Sequence, residues 1–182
     1  MRRLILWNVV TLDGLFEGEH AWDLPWHEKV WGDELERFSL EQLRAADMLV
    51  FGRVTYEGMA AYWRAAEGEI ATWMNRLPKL ACSRTLASAD WENTTLARDG
   101  VAAVEALKRD GDRDMFVFGS GILSRALLAA GLFDELRLAV APVVHGKGRL
   151  LFDHPPHTKL ALLENRTLAS GAVLLRYRPE AA

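Results

Sequence analysis

Apolar positions along this chain come first in short unbroken runs and later in looser alternation. Arg3 to Val10, Met48 to Phe51, Lys79 to Cys82 and Met115 to Phe118 are compact runs rich in β-formers, the pattern of strands buried on both faces. Asn93 to Ala97 adds a further short strand. The first run stops at Thr11-Leu12-Asp13-Gly14, where Asp-Gly signals a turn. Between the runs, Trp31, Leu35, Phe38 and Leu43 approximate helical spacing and set a helix starting near Gly32 or Asp33. Further helices are expected from Gly52 to Trp63, from Glu69 to Arg76 before Pro78, from Val101 to Lys108, and from Ile122 to Ala130 with Gly131 as its cap. Glu17 to Gly32 reads as irregular, with Trp22, Trp26 and Trp31 around Pro25.

The last third changes character. Glu135 to Val144, Lys159 to Glu164 and Ala172 to Tyr177 are strand-like and are separated by turns bearing glycine or proline. Alternating strands and helices followed by β-structure predict an α/β fold: a mainly parallel sheet, helices on its faces and an antiparallel edge. With 182 residues, half of them apolar, the chain matches one domain over 1–182, able to bury a core without metals or disulfides.

Charge narrows the partners. A net charge of −3 from 22 basic and 25 acidic residues, without a block of one sign, disfavours nucleic acid and anionic membranes. No apolar run approaches the ~20 residues that span a bilayer. One cysteine, Cys82, forms no internal disulfide, and the amino-terminal run meets Asn8 too early for a signal-peptide core. The expected location is cytoplasmic, with Cys82 a small packing residue. His145, His154 and His157 lack partners at zinc-binding spacing, so no metal is expected.

Two stretches carry candidate chemistry. Phe51-Gly52-Arg53-Val54-Thr55-Tyr56 and Phe118-Gly119-Ser120-Gly121-Ile122-Leu123 each leave a strand, turn on glycine and enter a helix. Helix starts expose unpaired amides and a partial positive charge, and glycine lets backbone approach an anion. Together they read as two walls of one dinucleotide phosphate site, although the first taken alone is more simply an ordinary strand-to-helix turn capped by Thr55. Ser124 stands where G-x-G-x-x-G needs its last glycine, which argues against a Rossmann fingerprint. At a third strand end, Ser83-Arg84-Thr85 offers hydroxyl, guanidinium and hydroxyl, suited either to a 2′-phosphate or to a solvated turn.

The ordered series Thr11-Leu12-Asp13-Gly14, Phe51-Gly52-Arg53-Val54-Thr55-Tyr56-Glu57, Cys82-Ser83-Arg84, Phe118-Gly119-Ser120-Gly121 and Leu132-Phe133-Asp134-Glu135-Leu136, continuing through Pro142, Gly146, Gly148 and Phe152, resembles the dihydrofolate reductase-like superfamily. More closely it resembles the reductase domain of bacterial riboflavin biosynthesis and its stand-alone relatives, over roughly residues 3 to 178. The resemblance implies a three-layer fold with an eight-stranded, mostly parallel sheet, an antiparallel carboxyl-terminal hairpin, NADPH across the strand ends, and a homodimer. It implies that Gly52, Arg53 and Thr55 hold pyrophosphate at one helix start, and Gly119, Ser120, Gly121, Ile122 and Leu123 at the other. Ser83 and Arg84 would take the adenosine 2′-phosphate, while Val9, Val10, Thr11 and Gly14 flank the nicotinamide. Gly-Ser-Gly departs from the consecutive glycines of dihydrofolate reductases.

The substrate side is read from fewer residues. Asp33, near Pro25-Trp26-His27 and Trp31-Gly32, is the expected substrate-side carboxylate, with helix capping as the plainer role. Asp13, in the loop expected beside the nicotinamide, is the second candidate. Trp22 and Trp26 form either an aromatic wall for a flat heterocycle or ordinary packing, and Gly146 and Gly148 are expected to shape the pocket. The expected activity is hydride transfer from NADPH to a small heterocyclic or ribosyl-phosphate substrate, nearest to reduction of 5-amino-6-(5-phosphoribosylamino)uracil. Dihydrofolate reduction and a non-catalytic NADP-binding module are the rival expectations.

Overall fold

The computed structural model describes residues 1–180. β1 (Leu4–Thr11) and β2 (Leu15–Glu17) lead into α1 (His27–Val30) and α2 (Asp33–Ala45). β3 (Ala46–Gly52), α3 (Arg53–Trp63), α4 (Glu69–Arg76) and β4 (Lys79–Cys82) come next. β5 (Thr94–Ala97), α5 (Gly100–Lys108), β6 (Asp114–Phe118) and α6 (Gly121–Ala129) follow, then β7 (Glu135–Ala141), β8 (Arg149–Leu150), β9 (Leu160–Thr167) and β10 (Val173–Pro179).

The apolar runs become the middle of one eight-stranded sheet in the order β5-β4-β3-β6-β1-β7-β10-β9. β5 to β7 in that order are parallel, and β10 runs antiparallel to both β7 and β9. Leu4, Ile5, Leu6, Phe116 and Val117 are fully buried, as strands covered by helices on both faces require. One face packs Val104 of α5 and Leu127 and Leu128 of α6 against Leu4, Leu6 and Val117. On the other, Tyr56 and Ala60 of α3 and Met74 of α4 pack against Ile5, Leu49 and Phe116. A third cluster joins Val30, Leu35 and Phe38 to Ala139 and Leu174 beneath α2. Burying a leucine as fully as Leu127 contributes about 1.5–3 kcal/mol, so each helix is held chiefly by its inward side chains.

The two ends of the parallel strands differ chemically. At the amino ends, the Glu135 carboxylate accepts from Arg137 at 2.7 Å and from Arg176 at 2.6 Å, while Arg3 grips Asp114. Asp134 accepts the Leu4 amide at 2.7 Å and pairs with Lys108, fixing the entry to β1. These charges are consumed internally. The carboxyl ends carry glycine turns and helix starts, the place where open α/β sheets receive ligands.

Polar anchors complete the frame. The Lys79 side chain is fully buried; its Nζ donates to the carbonyls of Asn75, Leu77 and Glu92 at 2.8, 2.8 and 3.0 Å and sits over the Trp91 ring. Burial pushes its ammonium down to about 8. Gly131, at φ +64°, ends α6 as expected: its amide reaches Leu128 O, and the Leu132 amide reaches Leu127 O, the paired bonds of a Schellman cap.

Three short elements depart from the expected pattern. Glu17 to Gly32 is not wholly irregular, because it contains the end of β2 and all of α1, and β8 forms beyond β7. β2 and β8 pair with each other as a separate antiparallel ribbon, Leu15 opposite Leu150. Elements this short show no periodicity, and their hydrogen bonds come from tertiary approach. A Cβ on Gly148 would lie 2.4 Å from the Glu17 carbonyl, so only glycine admits the ribbon. β7 ends at Ala141 rather than Val144, because Pro142 has no N–H for the ladder.

Candidate cofactor and substrate site

Parallel register sets the carboxyl ends of three strands side by side. Gly52 lies opposite Cys82, and Cys82 opposite Ala97, so Arg53, Ser83 and Arg98 emerge in one row. β6 lies on the other side of β3 and delivers the second glycine turn next to the first.

The two turns touch. The Gly52 amide donates to Ser120 Oγ at 2.9 Å, the Ser120 amide donates to Thr55 Oγ1 at 3.0 Å, and Ser120 Oγ donates to the Phe118 carbonyl at 2.9 Å. Gly119 and Ser120 both adopt left-handed backbone, at φ +57° and +60°, and every peptide bond among the described residues is trans. A Cβ on Gly119 would lie 3.1 Å from Thr55 Cγ2, which makes glycine the residue that fits. Asn8, the buried polar residue inside the apolar β1, aims its amide at the Gly119 carbonyl from below at 3.5 Å.

This bonding changes the roles expected of individual residues. Thr55 does not cap its own helix; its oxygen receives the opposite wall. The amides of Gly52 and Ser120 are spent on the tie between walls. The first bond into α6 is Ser124 N to Ser120 O at 2.8 Å, which leaves the amides of Gly121, Ile122 and Leu123 without intrahelical acceptors, as do the first-turn amides of Arg53, Val54 and Thr55. Those amides, not the glycine amide of the first turn, are the donors left open at this edge.

At β4, Ser83 Oγ accepts the amides of Thr85 at 3.2 Å and Leu86 at 2.9 Å, forming a tight turn that leaves Arg84 exposed. Arg98 braces this turn from β5, donating to the carbonyls of Ser83 at 3.1 Å and Leu86 at 2.6 Å. Arg53 pairs with Glu57 at 3.1 Å. Arg98 escaped the sequence reading because only the β4–β5 register places it beside Ser83. Cys82, packed beneath this row, has its thiol pushed up to about 12 by burial, consistent with a packing role.

The loop after β1 meets the loop after β7. Leu12 donates to Val143 O at 2.8 Å, and the Asp13 carboxylate accepts the His145 and Gly146 amides at 3.2 and 2.8 Å. The Thr11 hydroxyl, followed by those amides, lowers the Asp13 carboxyl to about 2. Asp13 is thus an ionised loop clamp, with no proton to give near neutral pH. Val9 and Val10 are interior, and Gly14 closes the turn through its amide to Thr11 O at 2.9 Å. Gly146 enters this clamp, and Gly148 shapes the adjoining ribbon.

Trp22 and Trp26 separate. Trp26 is 1% exposed, within the cluster around Val9, Leu15 and Leu35, and its ring backs His145 at 5.1 Å between centroids. Trp22 reaches across to α3 and rests on Gly58, while Phe16 of β2 rests on Gly121. Asp33 is exposed in the first turn of α2, which has no side-chain cap; Glu34 instead ties that turn to the Ala169 amide at 2.6 Å. The glycine walls, the Ser83 turn and the Asp13 clamp therefore line one edge of the sheet, and Asp33 makes no hydrogen bond to any of them. No group of acidic, histidine or cysteine side chains among the described residues could hold a metal ion. No helix among them is long and apolar enough to cross a membrane.

Two tied helix starts, an arginine-bearing turn and a clamped loop thus stand together at the carboxyl ends of the strands of a dihydrofolate reductase-like fold. Residues 2–174 match the model of the RibD C-terminal domain, and the chain belongs to that family. A curated relative, the uncharacterized protein YyaP of Bacillus subtilis, is 28% identical over 97% of this chain and 94% of its own. Among solved structures, a protein assigned to riboflavin biosynthesis from Shewanella sp. PV-4 superposes with a TM-score of 0.80 at 18% identity, covering 98% of this chain and 99% of that one. Dihydrofolate reductase from Enterococcus faecalis, complexed with NADP(H), gives 0.62 at 15% identity, covering 98% and 97%. The deaminase/5-amino-6-(5-phosphoribosylamino)uracil reductase of Thermotoga maritima gives 0.68 at 16% identity; this chain is covered over 98% and spans 56% of that protein. Membership of this family supports a reductase role.

Proposed function

We propose that this protein is an NADPH-dependent oxidoreductase acting on a small heterocyclic or ribosyl-phosphate substrate, with 5-amino-6-(5-phosphoribosylamino)uracil the nearest candidate. The observation that carries this reading is the Gly52–Ser120–Thr55 tie, which presents two helix starts as one cradle. The cradle fits a pyrophosphate: its amides lack acceptors, and a Cβ at Gly119 would intrude on Thr55. Gly121, Ile122 and Leu123 would hold one phosphate and Arg53 and Thr55 the other. Arg84 would meet the adenosine 2′-phosphate on the turn that Arg98 braces. A planar, always-charged guanidinium suits a dianion.

NADPH, when bound, supplies the hydride. The chain's residues do the remaining work. Val9 to Gly14 form the wall beside the nicotinamide, and Asp13 keeps that wall in register with the loop at His145. Because the Asp13 carboxyl is held near 2, the proton that follows hydride transfer comes from another group or from water. Asp33 stays a candidate for the substrate side, as its exposed carboxylate is free to receive a polar ring edge.

The same reading takes residues 1–182 as one domain working in the cytoplasm, and as a homodimer. The exposed edge strand β9 is the natural meeting surface. The test is direct. NADPH should quench tryptophan fluorescence, and its absorbance should fall only when a substrate is added. Binding without turnover across pyrimidine and dihydrofolate substrates would favour a non-catalytic NADP-binding module, and absence of binding would end the proposal.

A further inference from the structure

We propose that the bare surface of Gly58 on α3 is a binding subsite for a planar ring of indole size, held in this structure by the chain's own Trp22. The inference deepens the reductase reading, since the ring is taken to be the substrate's heterocycle. Gly58 lies in mid-helix, where glycine is disfavoured relative to alanine. A Cβ there would fall 1.8, 2.0 and 2.1 Å from Cε2, Nε1 and Cζ2 of Trp22. The Nε1 side of the indole therefore lies directly on half-buried helix backbone, in a space any other side chain would fill.

Trp22 is a poorly secured occupant. Its backbone sits at φ +67°, a region bulky L-residues rarely adopt, and the residue as a whole is 38% exposed, against 1% for Trp26 and 2% for Trp91. What holds it is local: its amide donates to Glu17 Oε1 at 2.7 Å, and the Gly18 amide closes the loop onto Asp23 O at 2.8 Å. A core tryptophan is enclosed on all sides; this one covers a patch and stays within reach of solvent.

The patch is well placed for a ligand. Gly58 follows Thr55 by one turn of α3, roughly 4.5 Å of helix rise, and Thr55 receives the Ser120 amide at the junction of the two walls. A planar ring replacing the indole would lie beside the anion-binding helix starts, as a heterocycle bearing or facing a phosphate requires. Displacing Trp22 would also release its left-handed backbone. The chain thus carries a stand-in for its ligand, and apparent affinity falls by the fraction of molecules in which the indole has vacated the patch.

The test needs no cofactor, so its outcome is separate from the success or failure of NADPH turnover. Trp22→Ala should bind free indole and quinazoline-2,4-dione, with amide shift changes in nitrogen-15 spectra centred on Gly58. Wild type should bind both on the order of tenfold more weakly, because Trp22 competes. Adding Gly58→Ala should abolish binding while helix α3 persists, since alanine favours helix. Failure of Trp22→Ala to bind either ring, equal affinity in wild type, or binding unaffected by Gly58→Ala would each overturn the proposal. Gly58→Ala alone guards against a misfolded Trp22 variant: it should raise acrylamide quenching of tryptophan fluorescence as the indole is expelled, and unchanged quenching would refute the contact.

Discussion

Replacing Gly119 by alanine tests whether the contact between the two helix walls shapes the proposed cofactor cradle. The position holds φ +57°, which costs an alanine about 1 kcal/mol relative to glycine. The new Cβ would stand 3.1 Å from Thr55 Cγ2 and 3.3 Å from its Oγ1, so Thr55 must move. That movement lengthens the 3.0 Å bond from the Ser120 amide, a loss of about 1 kcal/mol for an ordinary hydrogen bond. The sum, about 2 kcal/mol, corresponds to a fall in Tm of roughly 4–8 °C for a chain of this size. Because the first turn of α6 shifts with Ser120, NADPH affinity should fall by about tenfold, the equivalent of one lost hydrogen bond.

The control is Gly131→Ala. Gly131 has φ +64° and open space where a Cβ would go, so it carries the conformational cost of about 1 kcal/mol alone. Thermal melts and NADPH titrations followed by tryptophan fluorescence compare the two variants. If Gly119→Ala melts no lower than Gly131→Ala and binds NADPH as wild type does, the wall-to-wall contact does not shape the site.

Three further outcomes are expected. Arg84→Ala should cut the preference for NADPH over NADH by about tenfold, one exposed charge-assisted hydrogen bond, and Arg98→Ala should move it the same way by loosening the turn; an unchanged ratio of dissociation constants removes both from the 2′-phosphate. Lys79→Met leaves three buried carbonyl contacts without their donor and should destabilise the fold by about 1–3 kcal/mol in denaturant titrations, whereas an unchanged midpoint would show that water replaces the ammonium. Asp13 has its carboxyl lowered from the ordinary 3.8 to about 2, so its contribution is complete above pH 4 and disappears as pH falls through 2. The amide shifts of His145 and Gly146 should titrate with that low midpoint and lose the transition in Asp13→Asn; a midpoint near 3.8 would break the clamp argument.

Much of this molecule was legible residue by residue because its signals are local. Glu69–Arg76 and Lys79–Cys82 stand where periodicity and Pro78 put them, and Gly131 caps α6 because a left-handed residue was needed there. The two glycine turns were recognisable as helix starts, since strand, glycine and helix follow one another in the chain. The same reasoning could not assign each amide. Thr55 looked like a cap for its own helix, and its partner proved to be Ser120, which belongs to a different strand end.

What the sequence by itself determined is the set of buried runs, the alternation that makes an α/β sheet, and the glycine-bearing strand ends that open into helices, all properties of neighbouring residues. What only the tertiary structure decided is which of those ends meet and what covers them. Parallel register brought Arg98 to Ser83, the close approach permitted by Gly148 created the β2–β8 ribbon, and the bare Cα of Gly58 received Trp22. Contacts of that kind join residues far apart in the chain, and their energy comes from shape and hydrogen bonding between surfaces that exist only once the sheet is assembled.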